Sequence, residues 1–265
     1  MTRALLVILV LALTACSSQE EAEFKQAQKA ITQEHYRTAL GYLDRVIKRN
    51  RPTKYPLEAA REAARISFFE VKDFNKAISY YQFIVLHSLD EKERLEAQKQ
   101  IASIYFNNLQ NYNLAIIEYS KLQQMPHTDQ EAAQYKMNIA RSQYYLNNFF
   151  QSESEIDSLL LLKSDDNIRF NALMLKGNIL VAKKEFSKAA DIFKTLIQKY
   201  PDKAVQENVA LILAVCYEEN FDFKSAIGIL EQYRGKYSPP EYIELRIKRL
   251  QERMKNAPGA KGYRK

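Results

Sequence analysis

The sequence has little of what bends, staples or catalyses. Of 265 residues only six are Gly and seven Pro, two are Cys, and there is no Trp. So few turn-formers exclude collagen-like or many-stranded all-β designs, and no long window alternates apolar and polar residues at the strand period. The chain is therefore read as all-α. Histidine is equally sparse: His35, His87 and His127 stand far apart and show no ligand spacing. There is no H-E-x-x-H, no G-x-S-x-G, no phosphate loop and no dinucleotide fingerprint. No catalytic residue, metal or cofactor is expected, and the chain is not read as an enzyme. Glu20, Glu21, Glu23, Asp165 and Asp166 are carboxylates at expected helix starts, where the helix dipole accounts for them.

Charge of one sign is also scarce outside one end. The formal net charge is +7, and from Arg246 to Lys265 there are eight basic residues against the single acid Glu252, so that stretch carries the whole excess. A broad basic groove for nucleic acid is excluded on that ground. The end of the chain is either a solvated helix terminus or a site for an acidic partner or anionic envelope polymer, with Lys255, Lys261, Arg264 and Lys265 as its contacts.

What the sequence does have is recurrence, clearest from Leu173 to Pro201. Gly177 follows Leu173 by four residues and precedes Leu180 by three, and Ala189, Phe193 and Leu196 repeat that spacing after a polar break. These are two amphipathic helices meeting small residue against large. Gly177 and Ala189 are expected where two backbones come close. A hairpin this short leaves an apolar side uncovered and needs neighbours. Equivalent small residues open a second helix at Ala39, Ala77, Ala115, Ser152, Ala189 and Ala226, at steps of 38, 38, 37, 37 and 37 residues. Ser152, as a hydroxyl at a crowded contact, requires a backbone acceptor.

The pattern resembles the tetratricopeptide repeat (TPR), with its large-small-large first helix and a second helix carrying Ala, a large residue and a closing Pro. Ala189, Phe193 and Pro201 match the second half of a copy. Ala210, Leu213, Ala214, Tyr217, Ala226 and Leu230 match most of the next. The resemblance implies an all-α, TPR-like solenoid of about six helical hairpins with a C-terminal capping helix. One departure is systematic: about 34 residues is the usual period, so the extra residues are expected between hairpins. Ser103 is read as the small residue twelve before Ala115. Capping-box spacing of Ser88 with Glu91, Thr128 with Glu131 and Ser238 with Glu241 marks three helix starts independently of any family.

The expected organisation is a signal peptide over 1–15, a lipidated Cys and short linker at 16–18, six repeats over 19–238, a capping helix over 239–255 and a disordered basic tail over 256–265. The first segment has one Arg and then an apolar run from Ala4 to Leu13, too short for a permanent span. Its end, Leu13-Thr14-Ala15-Cys16, resembles the bacterial lipobox, which implies cleavage before Cys16 and an acylated amino terminus. Several acyl chains would make that anchoring stable. Ser17 and Ser18, with no Asp beside the Cys, imply the outer membrane by the same analogy, for a Gram-negative cell. Cys216 is then the one thiol left; flanked by Val215 and Tyr217, it reads as a small buried hydrophobe.

In the TPR geometry the first helices line a concave surface, which implies a groove formed by Phe69, Asn107, Gln134, Met137, Arg141, Tyr144, Asn171, Met174 and Asn178. Aromatic, amide and thioether groups suit an extended peptide or partner helix. Gln100, Ile104 and Asn171 stand where a carboxylate clamp would need its cations and amides, so clamping is not expected. Phe69, Met137 and Met174 are equally readable as filling between copies. In plan the chain is similar to the TPR lipoprotein of the outer-membrane β-barrel assembly machine. The expected function is a lipid-anchored periplasmic scaffold for protein interactions in envelope assembly; a pilus or motility-complex accessory and a cell-wall-binding factor using the basic tail are the alternatives.

Overall fold

Amphipathic helices joined by short polar turns can hide their apolar stripes only against one another. The computed structural model describes residues 19–237 and 240–256, and every regular element among them is helical. The chain divides into two compact units between Pro126 and His127.

In the first unit, residues 19–32 form α1, followed by α2 (Tyr36–Arg49), α3 (Tyr55–Phe69), α4 (Phe74–His87), α5 (Glu91–Ser103) and α6 (Tyr112–Leu122). They make three hairpins, α1/α2, α3/α4 and α5/α6. Phe24, Ala27, Ala39, Leu43, Val46 and Ala63 form one shared interior. The α1 acids do more there than complement a dipole. Glu23 takes hydrogen bonds from Arg45 and Arg49 of α2, and the Arg49 guanidinium holds its carboxyl below the usual range. Glu20 is fully buried and accepts from Thr53 Oγ1 at 2.7 Å.

In the second unit, α7 (Asp129–Tyr145) pairs with α8 (Phe149–Leu160) and α9 (Asp166–Ala182) with α10 (Phe186–Lys199). A short α11 (Pro201–Gln206) leads to the pair α12 (Val209–Glu219) and α13 (Phe223–Tyr233), and α14 (Pro240–Asn256) follows. Each hairpin packs on the next, with α12 reaching past α11 to α10, and α14 closes on α13. Each unit is thus a TPR-like stack of three hairpins, six in all among the described residues, and the second unit ends in a further helix. The residues added between hairpins are loops in most places and the helix α11 in one.

The repeat is written into the backbone. Within each hairpin one non-Gly residue adopts a left-handed conformation: Glu34, Lys72, Gln110, Asn147, Lys184 and Phe221, with φ from 49° to 61°. They recur at the same steps of 38, 38, 37, 37 and 37 residues as the small residues. Two residues after each comes an aromatic that opens the second helix: Tyr36, Phe74, Tyr112, Phe149, Phe186 and Phe223.

Three expectations are corrected. What stands nearest Gly177 is a side chain and not a second backbone: a Cβ there would lie 2.6 Å from two carbons of the Phe193 ring, so the glycine is the seat of an aromatic side chain. Ser103 is not the small contact of its hairpin. Ala102 is fully buried instead, and Ser103 is half-buried. The cause is a π-helical turn, Ile104–Asn108, which adds a residue at the end of the first helix. Here the Asn111 amide bonds back to Tyr105 O, and in the preceding hairpin Asp73 bonds to Ser67 O, six residues away; the later turns close over five, as Glu185 does to Leu180 O. The two 38-residue steps therefore arise inside hairpins. Lastly, Ser88 is not the cap of α5. Asp90 is, accepting from the Lys92 amide at 2.9 Å, while Ser88 Oγ donates to the Glu93 carboxylate. Thr128 and Glu131 do form the reciprocal capping box of α7. Ser238, at the third site, lies outside the described residues, as do residues 1–18.

Candidate binding cleft

The cleft lies in the second unit between α7 and α9, two first helices of successive hairpins. Their starts are pinned together. Thr128 caps α7, and Asp165 caps α9 by accepting from the Ile168 amide at 2.7 Å. Gln130 of α7 accepts from the Asp165 amide at 3.0 Å, and its own amide donates to the Asp165 carboxylate. The Ile168 amide is the main reason that the Asp165 carboxyl sits below its ordinary range. Behind this join Ala133, Ala140, Ala172, Leu175 and Ile179 pack as one core, letting the helices approach on their small residues.

Spacing then decides which side chains face the gap. Positions 134, 137, 141 and 144 of α7 and 171, 174 and 178 of α9 each follow the helical period and share a face. Gln134 and Asn171, Met137 and Met174, and Arg141 and Asn178 are all 37 residues apart, so like positions of consecutive hairpins stand opposite one another. Together with Tyr144, Tyr145, Ile168 and Leu175 they line a cleft of about 380 Å³. This is within the range of ligand-holding clefts. Met137 is 7% exposed and forms floor; Met174, Arg141, Asn171 and Asn178 are half-buried; Gln134 is exposed at the rim. The Tyr144 ring is wedged between those of Tyr145 and Phe149, each centroid 5.8 Å away. The result is a thioether and aromatic floor with amide edges, which can take apolar side chains and bond a peptide backbone.

Seven of the nine expected groove residues thus meet in one cleft. The other two belong to the first unit: Phe69 is 62% exposed and sits edge-on against Phe68, and Asn107, in the π turn, donates to Ser103 Oγ at 3.0 Å. Tyr145, Ile168 and Leu175 were missed. Ile168 and Leu175 lie three residues before and four after Asn171, so extending the same period by one step each way would have found them.

Of the remaining candidates, Cys216 is fully buried, and burial pushes its thiol up to about 11. His87 stacks on Phe83 with centroids 3.9 Å apart, and its two ring nitrogens meet Phe83 O and the Asn50 amide. Among the described residues no three His, Cys, Asp or Glu side chains gather where an ion could sit. No described helix is long and apolar enough to cross a membrane. Lys255 is exposed in the last turn of α14. Cys16, Lys261, Arg264 and Lys265 lie outside the described residues.

Comparison with known proteins agrees with the helical-repeat fold. None of the curated proteins compared matches by sequence. The tetratricopeptide-repeat family profile matches residues 171–203, which cover α9 from its second turn, all of α10 and the start of α11. Among solved structures the chain is similar to RapI in its apo form, with TM-score 0.58 and 14% identity over 91% of this chain and 73% of RapI. It is also similar to YrrB, described as a TPR protein with an unusual peptide-binding site, with TM-score 0.53 and 14% identity over 78% of this chain and 97% of YrrB. PilW, a type IV pilus biogenesis factor, gives TM-score 0.52 and 13% identity over 85% of this chain and 98% of its own. At such identities the likeness is one of fold.

Proposed function

We propose that the chain is a non-catalytic scaffold that holds an extended peptide or partner helix in the α7/α9 cleft. The observation that carries this reading is the register of amide and thioether pairs 37 residues apart along the cleft. An extended segment laid across two parallel repeats meets the same chemistry twice, with Met137 and Met174 beneath its side chains and amides beside its backbone. The matched repeat at 171–203 supplies one wall of that cleft, and YrrB is a TPR protein with a peptide-binding site of its own.

The anchor belongs to the same proposal. Cleavage before Cys16 and acylation of its thiol would tether the chain to the periplasmic face of the outer membrane, a reading supported by the sequence of residues 1–16 alone. The role that follows is recruitment of protein partners in envelope assembly. A second reading, an accessory of pilus biogenesis, has in its favour the likeness of fold to PilW over 98% of that chain.

A photo-cross-linking residue at Asn171 tests the cleft. It should capture a discrete partner in cells, and Met174→Glu should abolish capture while the far-ultraviolet dichroism stays unchanged. Cross-links that survive Met174→Glu would overturn the site. Cys16→Ala should release the protein from the membrane fraction; retention there would sink the anchor.

A further inference from the structure

Unit two repeats its cleft at its far end with different chemistry. Ile247 and Leu250 of α14 lie 37 residues after Ala210 and Leu213 of α12, and all four are buried, so α14 keeps the register of a first helix. Four of the ten positions that line the α7/α9 cleft, those of Tyr144, Ile168, Asn171 and Leu175, therefore recur between α12 and α14 as Glu218, Tyr242, Leu245 and Arg249. Glu218, Tyr242, Leu245, Arg246 and Arg249 line a cleft of about 230 Å³ there. Asn171 is replaced by Leu245 and Ile168 by Tyr242, each 74 residues on. An amide edge has become an apolar one.

The charge has changed as well. Arg246 donates to Glu218 Oε2 at 3.5 Å and to Tyr242 Oη at 3.4 Å, and Arg253 also pairs with Glu218. One carboxylate is thus shared by two guanidinium groups. Arg249, exposed on the next turn of the same face, makes no ion pair among the described residues. Tyr242 and Leu245 are 51% and 48% exposed beside it, although Ile243 and Ile247 on the opposite side are buried. From Arg246 to Asn256 five cations face a single acid, Glu252. A cationic rim around exposed apolar side chains is complementary to a segment that carries carboxylates and large apolar residues together.

We propose that the α12/α14 cleft is a docking site for an acidic, apolar segment of a protein partner, with Leu245 and Tyr242 taking its apolar side chain and Arg249 with Arg246 its carboxylates. The inference extends the groove reading to a second cleft of opposite chemistry, and it gives that groove a direction: neutral at α7/α9 and acid-seeking at α14.

The test uses the full chain and a short fluorescein-labelled peptide alternating Asp and Leu, with two control peptides in which Asn replaces Asp or Ser replaces Leu. Fluorescence anisotropy should show binding of the first peptide, weakened by added salt, and about tenfold weaker binding of each control. Arg249→Glu and Leu245→Asp, both at exposed positions, should each weaken it about tenfold with the melting temperature unchanged. Met174→Glu should leave it unaltered. Binding lost with Met174→Glu but not with Arg249→Glu would overturn the α14 site and leave the α7/α9 reading standing. Equal affinity for the Asn-containing control would overturn it too. So would failure of all three peptides alongside Arg249-dependent binding to phosphatidylglycerol vesicles, since the cations would then serve a lipid surface.

Discussion

The third and fifth hairpins are the same structure built with different tolerances. In the fifth, α9 runs unbroken to Ala182, two residues before the left-handed Lys184, and Gly177 receives the fully buried ring of Phe193. In the third, α5 gives way to a π turn, Ala102 is the buried small residue, and the turn closes over one residue more. The fifth is also where the TPR profile matches. The difference shows that the array tolerates a change in which position of the first helix carries the buried small residue. It absorbs an inserted residue at the helix end, where carbonyls can be bonded at a longer step.

The most severe way to break the fifth hairpin is to empty the seat. Phe193→Ala should destabilise the chain by about 3–5 kcal/mol, because the ring is fully buried and α9 cannot collapse onto the void without losing its neighbours. Thermal and urea unfolding would measure this, and hydrogen exchange should show protection lost first in α9 and α10. A loss below about 1 kcal/mol would mean that the seat is not a contact the stack depends on.

Filling the seat is the next largest effect. Gly177→Ala places a methyl 2.6 Å from the Phe193 ring, so the ring or the helix must move, at a cost of about 1–3 kcal/mol despite the better helix propensity of Ala. If the ring is the obstacle, Gly177→Ala combined with Phe193→Leu should recover part of that cost relative to the sum of the two changes. Strict additivity in this double-mutant cycle would rule the contact out.

Most of the stack was legible because periodicity survives in side chains that must be small or large. Ala39, Ala77, Ala115, Ser152, Ala189 and Ala226 are all fully buried, and Ser152 Oγ finds its acceptor in Ala140 O at 2.7 Å. The cleft was legible for the same reason, since a helix face follows from spacing. The π turn was not, because Ala102 and Ser103 are both small and counting cannot choose between them. The α5 cap was misread for a related reason: Ser88 and Asp90 are both good caps, and only the position where α4 ends, at His87, selects Asp90. The left-handed turns were invisible because the expected residue, Gly, occupies none of the six.

The cap correction separates two helix starts that look alike in sequence. Thr128→Ala should cost about 1 kcal/mol, since it removes the hydroxyl that accepts from the Glu131 amide and leaves only the backbone half of the α7 capping box, and Asp90→Ala should cost a similar amount at α5. In urea titrations a larger loss from Ser88→Ala than from Asp90→Ala would restore Ser88 as the cap and undo the reassignment.

The smallest effect probes the turns that every hairpin shares. An L residue at positive φ is disfavoured by roughly 1–2 kcal/mol, whereas Gly is not, although Gly also gives the unfolded chain more freedom, by about 0.5–1 kcal/mol. Lys184→Gly should therefore raise stability by less than about 1 kcal/mol. Asn147→Gly should raise it less, because Asn already tolerates the left-handed region. The order of the two, read as a shift in the urea midpoint at constant slope, is the discriminating quantity. It isolates backbone strain from packing because both side chains are exposed. A loss of stability at Lys184 would mean that its side chain, and not its backbone, holds the turn, and the six left-handed residues would then share a geometry without sharing a cause.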